Sequence, residues 1–546
     1  MATAKLRVAV EDPLVAQQFG LTPENVLTGA EPFFLDGPVA ERVAIVDRDP
    51  QTGEMAKPVS WSKKTRSYVI PDDPLAPEAI AVSVFGIVLK TLALFERNDV
   101  LGHKVRWAFD GPQLLVVPRA GTWANAFYDR YGRSLQFFSF DAVGGIRVHT
   151  ALSRDIVAHE TGHAILDGLA PALYDALSPE SLALHEAMGD LTAIVMALQS
   201  RRIRDWLVRD HGGKLAGSTP VSQLATQFGW AKGMNRPLRD ANNSLTMDKA
   251  GQEPHDLSQV LTGAVWAAMV QLHQSALERA TESKNRKGEM PVGKALAISA
   301  LRIARILFRA LDYLPPAEAT FADYARAVLR SDTVAYPKDE TEYRKTLRNE
   351  FIKRGIVPSA DELRHDPEEE AVQVDLSDVL ESDWAAYDFA NRERRLLGIP
   401  RGIPFRLFPR RDVQRRYYLG HGRHEVQREV VFQVTWEEQE ENDETAGLPS
   451  RRTVFHGTTL VLGGEPDGCG RHPVLSCLTT DRTPRHMVAR NRTVQHLIER
   501  GQLEVADRWE AVNLRPLAPK VFGRVAGGTL RLRGTARLLH LERPEP

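Results

Sequence analysis

The sequence predicts an α+β chain in three parts, and three observations predict it. The first part carries short alternating and β-branched runs cut by Pro and Gly. From about Asp155 to Gly355 apolar residues recur every three or four positions, and beyond an acidic break near Arg364 the alternation returns. The 546 residues suffice for two to four domains at roughly 100 to 200 residues each. With 43% hydrophobic and 26% charged residues and a mean hydropathy of -0.30, the composition is that of a soluble globular protein. Seventy basic residues against 71 acidic ones leave a net charge of -1. No charge excess therefore draws nucleic acid or an acidic membrane, and neither is expected as a partner.

Residues 1–75 read as a β-rich N-terminal extension, with alternating runs at Arg42–Val46 and Ser67–Ile70. Pro77–Phe95 has helical apolar density. Ser83, Gly86, Lys90 and Thr91 interrupt it well short of the ~20 apolar residues a bilayer needs, so it is expected to be a buried helix and no membrane span. Short strands return from Val105 to Phe140, making 76–155 a β-rich lobe. Residues 156–360 read as a helical lobe; in Ala295–Leu311 the 3.6-residue period puts Arg302, Arg305 and Arg309 on the outer face. An acidic linker is expected over 361–380, and a mainly β C-terminal domain, able to bind a partner or target, over 381–546. Within it the acidic run Glu437–Thr445 is expected to be a solvated hairpin loop.

The N-terminal residues lack the apolar run of a secretory signal, so the default expectation is a cytoplasmic chain, with signal-independent export left open. Cys469 and Cys477 are the two cysteines. Even with His472 between them they fall short of the four ligands of a structural zinc, and they read as ordinary thiols.

The chemistry sits in His159-Glu160-Thr161-Gly162-His163, an HExxH motif inside a helical pattern. Four residues at about 100° each return to within ~40° of the start, so both imidazoles project from one face toward one Zn²⁺. Glu160, about 100° round from His159, flanks the position of a zinc-polarised water whose proton it can take. A catalytic zinc needs a third protein ligand. The metzincin pattern is excluded, because Leu166 and Leu169 occupy the positions of its glycine and histidine. In the second helical pattern, Ser181–Ile194, Glu186 and Asp190 lie one turn apart on one face. Glu186 is a candidate third ligand, its carboxylate costly to bury unpaired among Leu182, Leu184, Ala187 and Met188. Asp190 is a candidate for orienting a ligand imidazole from outside the coordination sphere.

Over roughly Ala79 to Gly355 the chain resembles the thermolysin family of zinc metallopeptidases, gluzincins that combine HExxH with a downstream glutamate. His185-Glu186-Ala187-Met188-Gly189-Asp190 stands where that family carries Asn-Glu-x-x-Ser-Asp. The resemblance implies a two-lobed peptidase, β-rich then α-helical, with the zinc helix in the cleft and one Zn²⁺ per chain. It implies hydrolysis of peptide or protein substrates, with Glu160 as general base and His159, His163 and Glu186 as ligands. It also implies that Tyr174 donates to the tetrahedral oxyanion, that Arg239 in Pro237-Leu238-Arg239-Asp240 holds a substrate carbonyl, and that Asn125-Ala126 begins an edge strand pairing with substrate backbone.

The sequence departs from the family in three places. Glu186 follows His163 by 23 residues, three more than usual, which reads as a loop insertion after Tyr174. Gln259 stands where the family's transition-state histidine belongs, and His255, four residues earlier, is the other candidate for that role. Asp155 fits one calcium ligand, but Ala197, Arg201, Arg202 and Arg204 fill the region of the others, so no calcium pair is expected. The alternative reading is a catalytically degenerate zinc-containing scaffold that acts through its C-terminal β domain.

Overall fold

The computed structural model describes residues 2–174, 176, 178–251, 253–282, 292–339, 341–364, 370–420, 423–441, 448–482, 484–499, 503–505, 521–526 and 528–533. It is a mixed α and β structure. The first strands, β1 (Lys5–Val8) and β2 (Glu24–Leu27), flank helix α1 (Pro13–Gln18) and pair antiparallel, Lys5 opposite Leu27. Next come β3 (Val43–Ile45), the β4 (Trp61–Ser62) and β5 (Ser67–Tyr68) hairpin, and helix α2 (Pro77–Phe95). β1 crosses α2 so closely that a Cβ on Gly86 would lie 2.5 Å from Val8, which accounts for glycine there. Strands β6 (Leu114–Val117), β7 (Ala126–Asp129) and β8 (Ser134–Phe137) join β3 in a sheet of order β3-β6-β8-β7, with β7 as an antiparallel edge. A hairpin of β9 (Ser139–Asp141) and β10 (Arg147–His149) leads into α3 (Arg154–Leu169). Residues of 1–75 share one apolar core with α2 and α3. Arg154, at the head of α3, donates to the Val10 carbonyl and pairs with Glu11, so the N-terminal segment pins that helix.

Helices dominate the middle: α4 (Pro171–Tyr174), α5 (Pro179–Gln199), α6 (Arg201–His211) and α7 (Thr226–Ala231). α8 (Pro254–Glu282), α9 (Val292–Arg309), α10 (Phe321–Ala335) and α11 (Tyr343–Lys353) follow, and the two-residue strands β11 (Gln223–Leu224) and β12 (Arg239–Asp240) pair with each other. α3 and α5 cross at glycine: a Cβ on Gly162 would stand 3.3 Å from the Cα of Gly189. α2 and α5 are long and apolar enough to cross a membrane, but 78% and 100% of their apolar windows are buried as core helices.

β13 (Ala371–Val372), α12 (Leu376–Glu381) and α13 (Asp383–Arg392) precede strands β14 (Phe405–Leu407), β15 (Arg411–Gly420), β16 (Arg423–Glu441), β17 (Arg451–Gly463) and β18 (His472–Thr479). After them come α14 (Pro484–Glu499), β19 (Leu503–Val505), β20 (Val521–Ala526) and β21 (Thr529–Arg533). β16 is central, with β17 antiparallel on one side and β14 and β15 on the other. Its buried stretch, residues 429–436, is continuous because both faces are covered. Val430, Phe432, Val434 and Trp436 pack with α12 and α13, whereas Val431 joins the core of the helical region. Part of the expected linker over 361–380, residues 365–369, lies outside the described residues; within the rest of it Val372, Val374, Leu376 and Val379 are buried.

Two expectations are corrected here. Arg305 and Arg309 do not lie on an outer face. The C-terminal sheet covers that side of α9, where Arg309 is ion-paired with Glu429 and Arg305 stacks 3.7 Å above the Tyr336 ring. The acidic run is not all loop: Glu437 to Glu441 continue β16, because basic residues flank them. Arg452 and Arg490 lie 2.8 and 2.6 Å from Glu440, and Glu437 pairs with Arg531. Residues 442–445 of that run lie outside the described residues.

Candidate metal centre

α3 presents His159 and His163 from one face, and α5, crossing it at Gly162 and Gly189, brings Glu186 opposite them. One ligand atom from each of the three residues lies within 4.8 Å of the others, and all three are buried. His159 Nε2 is 3.4 Å from Glu186 Oε2, and His163 Nε2 is 3.5 Å from Oε1. A tetrahedral ion with ligands at ~2.1 Å separates them by about 3.4 Å, so the donor set and its spacing fit zinc. The packing is close: a Cβ on Gly189 would stand 2.6 Å from Nδ1 and Cε1 of His159.

Asp190, one turn beyond Glu186, approaches His159 Nδ1 at 3.1 Å. Arg239, on β12, donates to the same Asp190 oxygen at 2.8 and 3.0 Å and lies 3.9 Å from Glu186. Burial alone would depress His159, but hydrogen bonds to Asp190 and Glu186 overcome it and lift the imidazole to about 10. Burial, then the neighbouring His159, drives His163 down to about 4. The carboxylates thus hold one positive charge between the two rings, and a dication satisfies that demand with both imidazoles neutral. Burial raises Glu160 to about 8, although His159 opposes the rise and the Tyr128 backbone N–H donates to its carboxylate.

Tyr128 belongs to β7, the edge strand that Asn125-Ala126 opens. The Asn125 side chain accepts from the Ala126 N–H at 2.8 Å, and Thr150 donates to the Asn125 carbonyl at 3.3 Å. Tyr174 is buried, and its hydroxyl donates to the Tyr128 carbonyl at 3.1 Å, so in this state it holds the edge strand. His185 lies between Tyr174 and His163, with ring centroids 5.2 and 5.7 Å away. Neither of its nitrogens has a hydrogen-bond partner among the described residues.

Of the two candidates on α8, the helix start decides which reaches the cluster. Pro254 is the first helical residue, so His255 projects from the first turn and its Nε2 comes within 3.4 Å of Glu186. Gln259 instead turns its amide onto the His255 carbonyl at 3.5 Å. Sequence reasoning missed Glu253. It caps α8, accepting from the His255 and Asp256 N–H groups at 2.9 and 3.3 Å, and its other oxygen holds His255 Nδ1 at 2.6 Å. Glu253-Pro254-His255, an acid followed by proline at a helix start, is the signal that locates it.

No family model matches the chain, and no curated protein matches it. Among solved structures it is similar to a precursor of protealysin, a metalloproteinase from Serratia proteamaculans. The match has 14% identity and a TM-score of 0.35, and covers 65% of this chain and 100% of that one.

Proposed function

We propose that the chain is a zinc-dependent endopeptidase of the thermolysin-like, two-lobed kind. The observation that carries this reading is the convergence of His159, His163 and Glu186 with a buried glutamate, Glu160, next to the first ligand. A structural site has no need of that glutamate. His159, His163 and Glu186 would hold the ion, with Asp190 fixing the tautomer of His159. Zinc, when bound, supplies Lewis-acid polarisation of a water and of the scissile carbonyl.

The remaining work falls to the chain's own groups. Glu160 takes the proton of the attacking water and delivers it to the leaving amine; burial, which raises its proton affinity, suits both halves of that task. The Nε2 of His255, held by Glu253, is the donor nearest the ligands and stabilises the developing oxyanion. Tyr174 is the second donor, its hydroxyl exchanging the Tyr128 carbonyl for the oxyanion. Arg239 keeps Asp190 ionised and turns its remaining N–H groups to a substrate carbonyl. β7, the edge strand of its sheet, which Asn125 and Ala126 open, aligns an extended peptide.

The test is Glu160→Gln. This variant is expected to retain about one zinc per chain and the wild-type fold, while peptide cleavage falls by several orders of magnitude. Cleavage of a broad peptide library is followed by mass spectrometry with wild type and variant side by side. A variant as active as wild type, or a zinc-loaded wild type that cleaves nothing, refutes the proposal.

A further inference from the structure

Three arginines fall on successive turns of α9, and they are not equally served by partners. Arg309 is ion-paired with Glu429. Arg302 and Arg305 have no carboxylate partner among the described residues. Arg302 donates to the Tyr343 hydroxyl at 2.8 Å and lies 5.4 Å from the centre of that ring. Arg305 is only 7% exposed, and its guanidinium stacks 3.7 Å from the centre of the Tyr336 ring. It makes no hydrogen bond to a described residue, and its Nε is sealed from solvent without an acceptor. A buried guanidinium whose donors go unused is costly, because neither water nor a counter-charge replaces its hydration.

The neighbouring acids do not make good that loss. Asp99 and Asp332 are the acids that act most strongly on Arg305, and each is held by another arginine. Arg97 holds Asp99 at 2.9 and 3.1 Å, and Arg344 holds Asp332 at 2.8 Å. Asp339 spends its two oxygens on the backbone N–H groups of Tyr343 and Arg344. Burial therefore pushes Arg305 below its usual range, although Tyr336, Asp332 and Asp99 pull the other way. Burial weighs on Arg309 as well, but Glu429 outweighs it and lifts that guanidinium above its usual range. Three elements meet at the two unpaired arginines. Tyr336 follows α10, Tyr343 opens α11, and Tyr418 of β15 stacks on Tyr336 at 5.1 Å.

We propose that Arg302 and Arg305 form a binding site for a phosphate-type oxyanion where α9 meets the α10–α11 connection and β15. Side chains three apart on a helix start about 5 to 6 Å from each other, so one tetrahedral anion can accept from both guanidinium groups at ~2.7 to 2.9 Å. Tyr343 and Tyr336 hold the planes of the two forks, which lowers the cost of ordering them around the anion. The anion is inorganic phosphate or sulfate, or the phosphoryl group of a larger molecule. The proposal goes beyond the peptidase reading and does not rest on it, since none of these residues belongs to the proposed metal centre.

The test titrates the full chain with inorganic phosphate and, separately, with phenyl phosphate, at an ionic strength held constant with chloride. Binding is read by isothermal titration calorimetry and by the rise of Tm with ligand concentration. Parallel runs with chelator remove any contribution from the metal centre. One saturable site per chain is expected, unchanged by chelator. Arg305→Gln and Arg302→Gln should each weaken it about tenfold or more, with the fold of each variant checked by circular dichroism. Binding of inorganic phosphate alone marks a free ion and binding of both probes marks a phosphoryl group on a larger molecule; either supports the proposal. Binding of neither probe, or undiminished binding by either folded variant, overturns it.

Discussion

Gly189→Ala is the most direct probe of how α5 shapes the proposed metal centre. The added Cβ would stand 2.6 Å from Nδ1 and Cε1 of His159 and 2.8 Å from Cγ, whereas ordinary contact begins at 3.4 Å. The imidazole must therefore retreat by about 0.8 Å, several times the ~0.2 Å that a zinc–ligand bond tolerates. Retreat also breaks the 3.1 Å approach of Nδ1 to Asp190. Loss of such an orienting contact typically costs 10 to 100-fold in metal affinity, or about 1.4 to 2.7 kcal/mol. In the metal-free chain the same methyl overpacks the α3 and α5 crossing by about 1 to 3 kcal/mol, against a gain of about 1 kcal/mol from replacing a mid-helix glycine. Zinc affinity is measured by competition with a chromogenic chelator, and the stability of the chelated protein by thermal unfolding. A Gly189→Ala chain that holds zinc within about twofold of wild type refutes the account of the site's packing.

Four further outcomes follow, two from the candidate metal centre and two from the buried ion network around Glu429. His255→Ala should lower kcat by roughly 2.7 to 4 kcal/mol of transition-state stabilisation with little change in KM, whereas Gln259→Ala should leave both nearly unchanged, as steady-state kinetics will show. Glu253→Gln should shift the alkaline limb of the rate profile to lower pH. Burial disfavours the His255 cation and Glu186 and Glu253 raise its proton affinity, so losing one carboxylate lets the donor proton leave sooner. Glu429→Gln should destabilise the chain by about 3 to 5 kcal/mol in denaturant titration, because it takes the ion-pair partner from buried Arg309 and leaves buried Arg415 with Asp312 alone. In the wild type, burial works against ionised Glu429 and Asp312, but neighbouring cations hold both below the ordinary carboxylate range. Their contribution is complete above the unfolded carboxylate value near ~4, and it should disappear as pH falls below that in thermal melts.

How much of this was legible in the sequence depends on how far apart the interacting residues lie. His159, Glu160 and His163 occupy one helix, and Glu186 and Asp190 another, so helical geometry alone aligns each set. Whether the two helices meet depended on Gly162 and Gly189, whose missing side chains permit the crossing. The choice between His255 and Gln259 was not legible from spacing, because it turns on where α8 begins, and Glu253-Pro254 sets that start through capping.

The arginines of α9 were misread for a related reason. A 3.6-residue period reports which face of a helix is apolar, and it assigns charged residues to water by default. Here the other face meets a sheet whose central strand begins more than a hundred residues later. Glu429 on that strand ion-pairs with Arg309 and Arg415, accepts from Tyr313 at 3.2 Å, and also binds the Tyr417 hydroxyl. Asp312, in the turn just past the end of α9, completes the cluster, pairing with Arg415 and holding His103 at 2.9 Å. Single buried charges are prohibitive, but a network in which each is paired is tolerated and is sensitive to geometry. Such a network ties the C-terminal sheet to the helices that frame the proposed metal centre, so the helical region's outer surface is defined only once that sheet is in place.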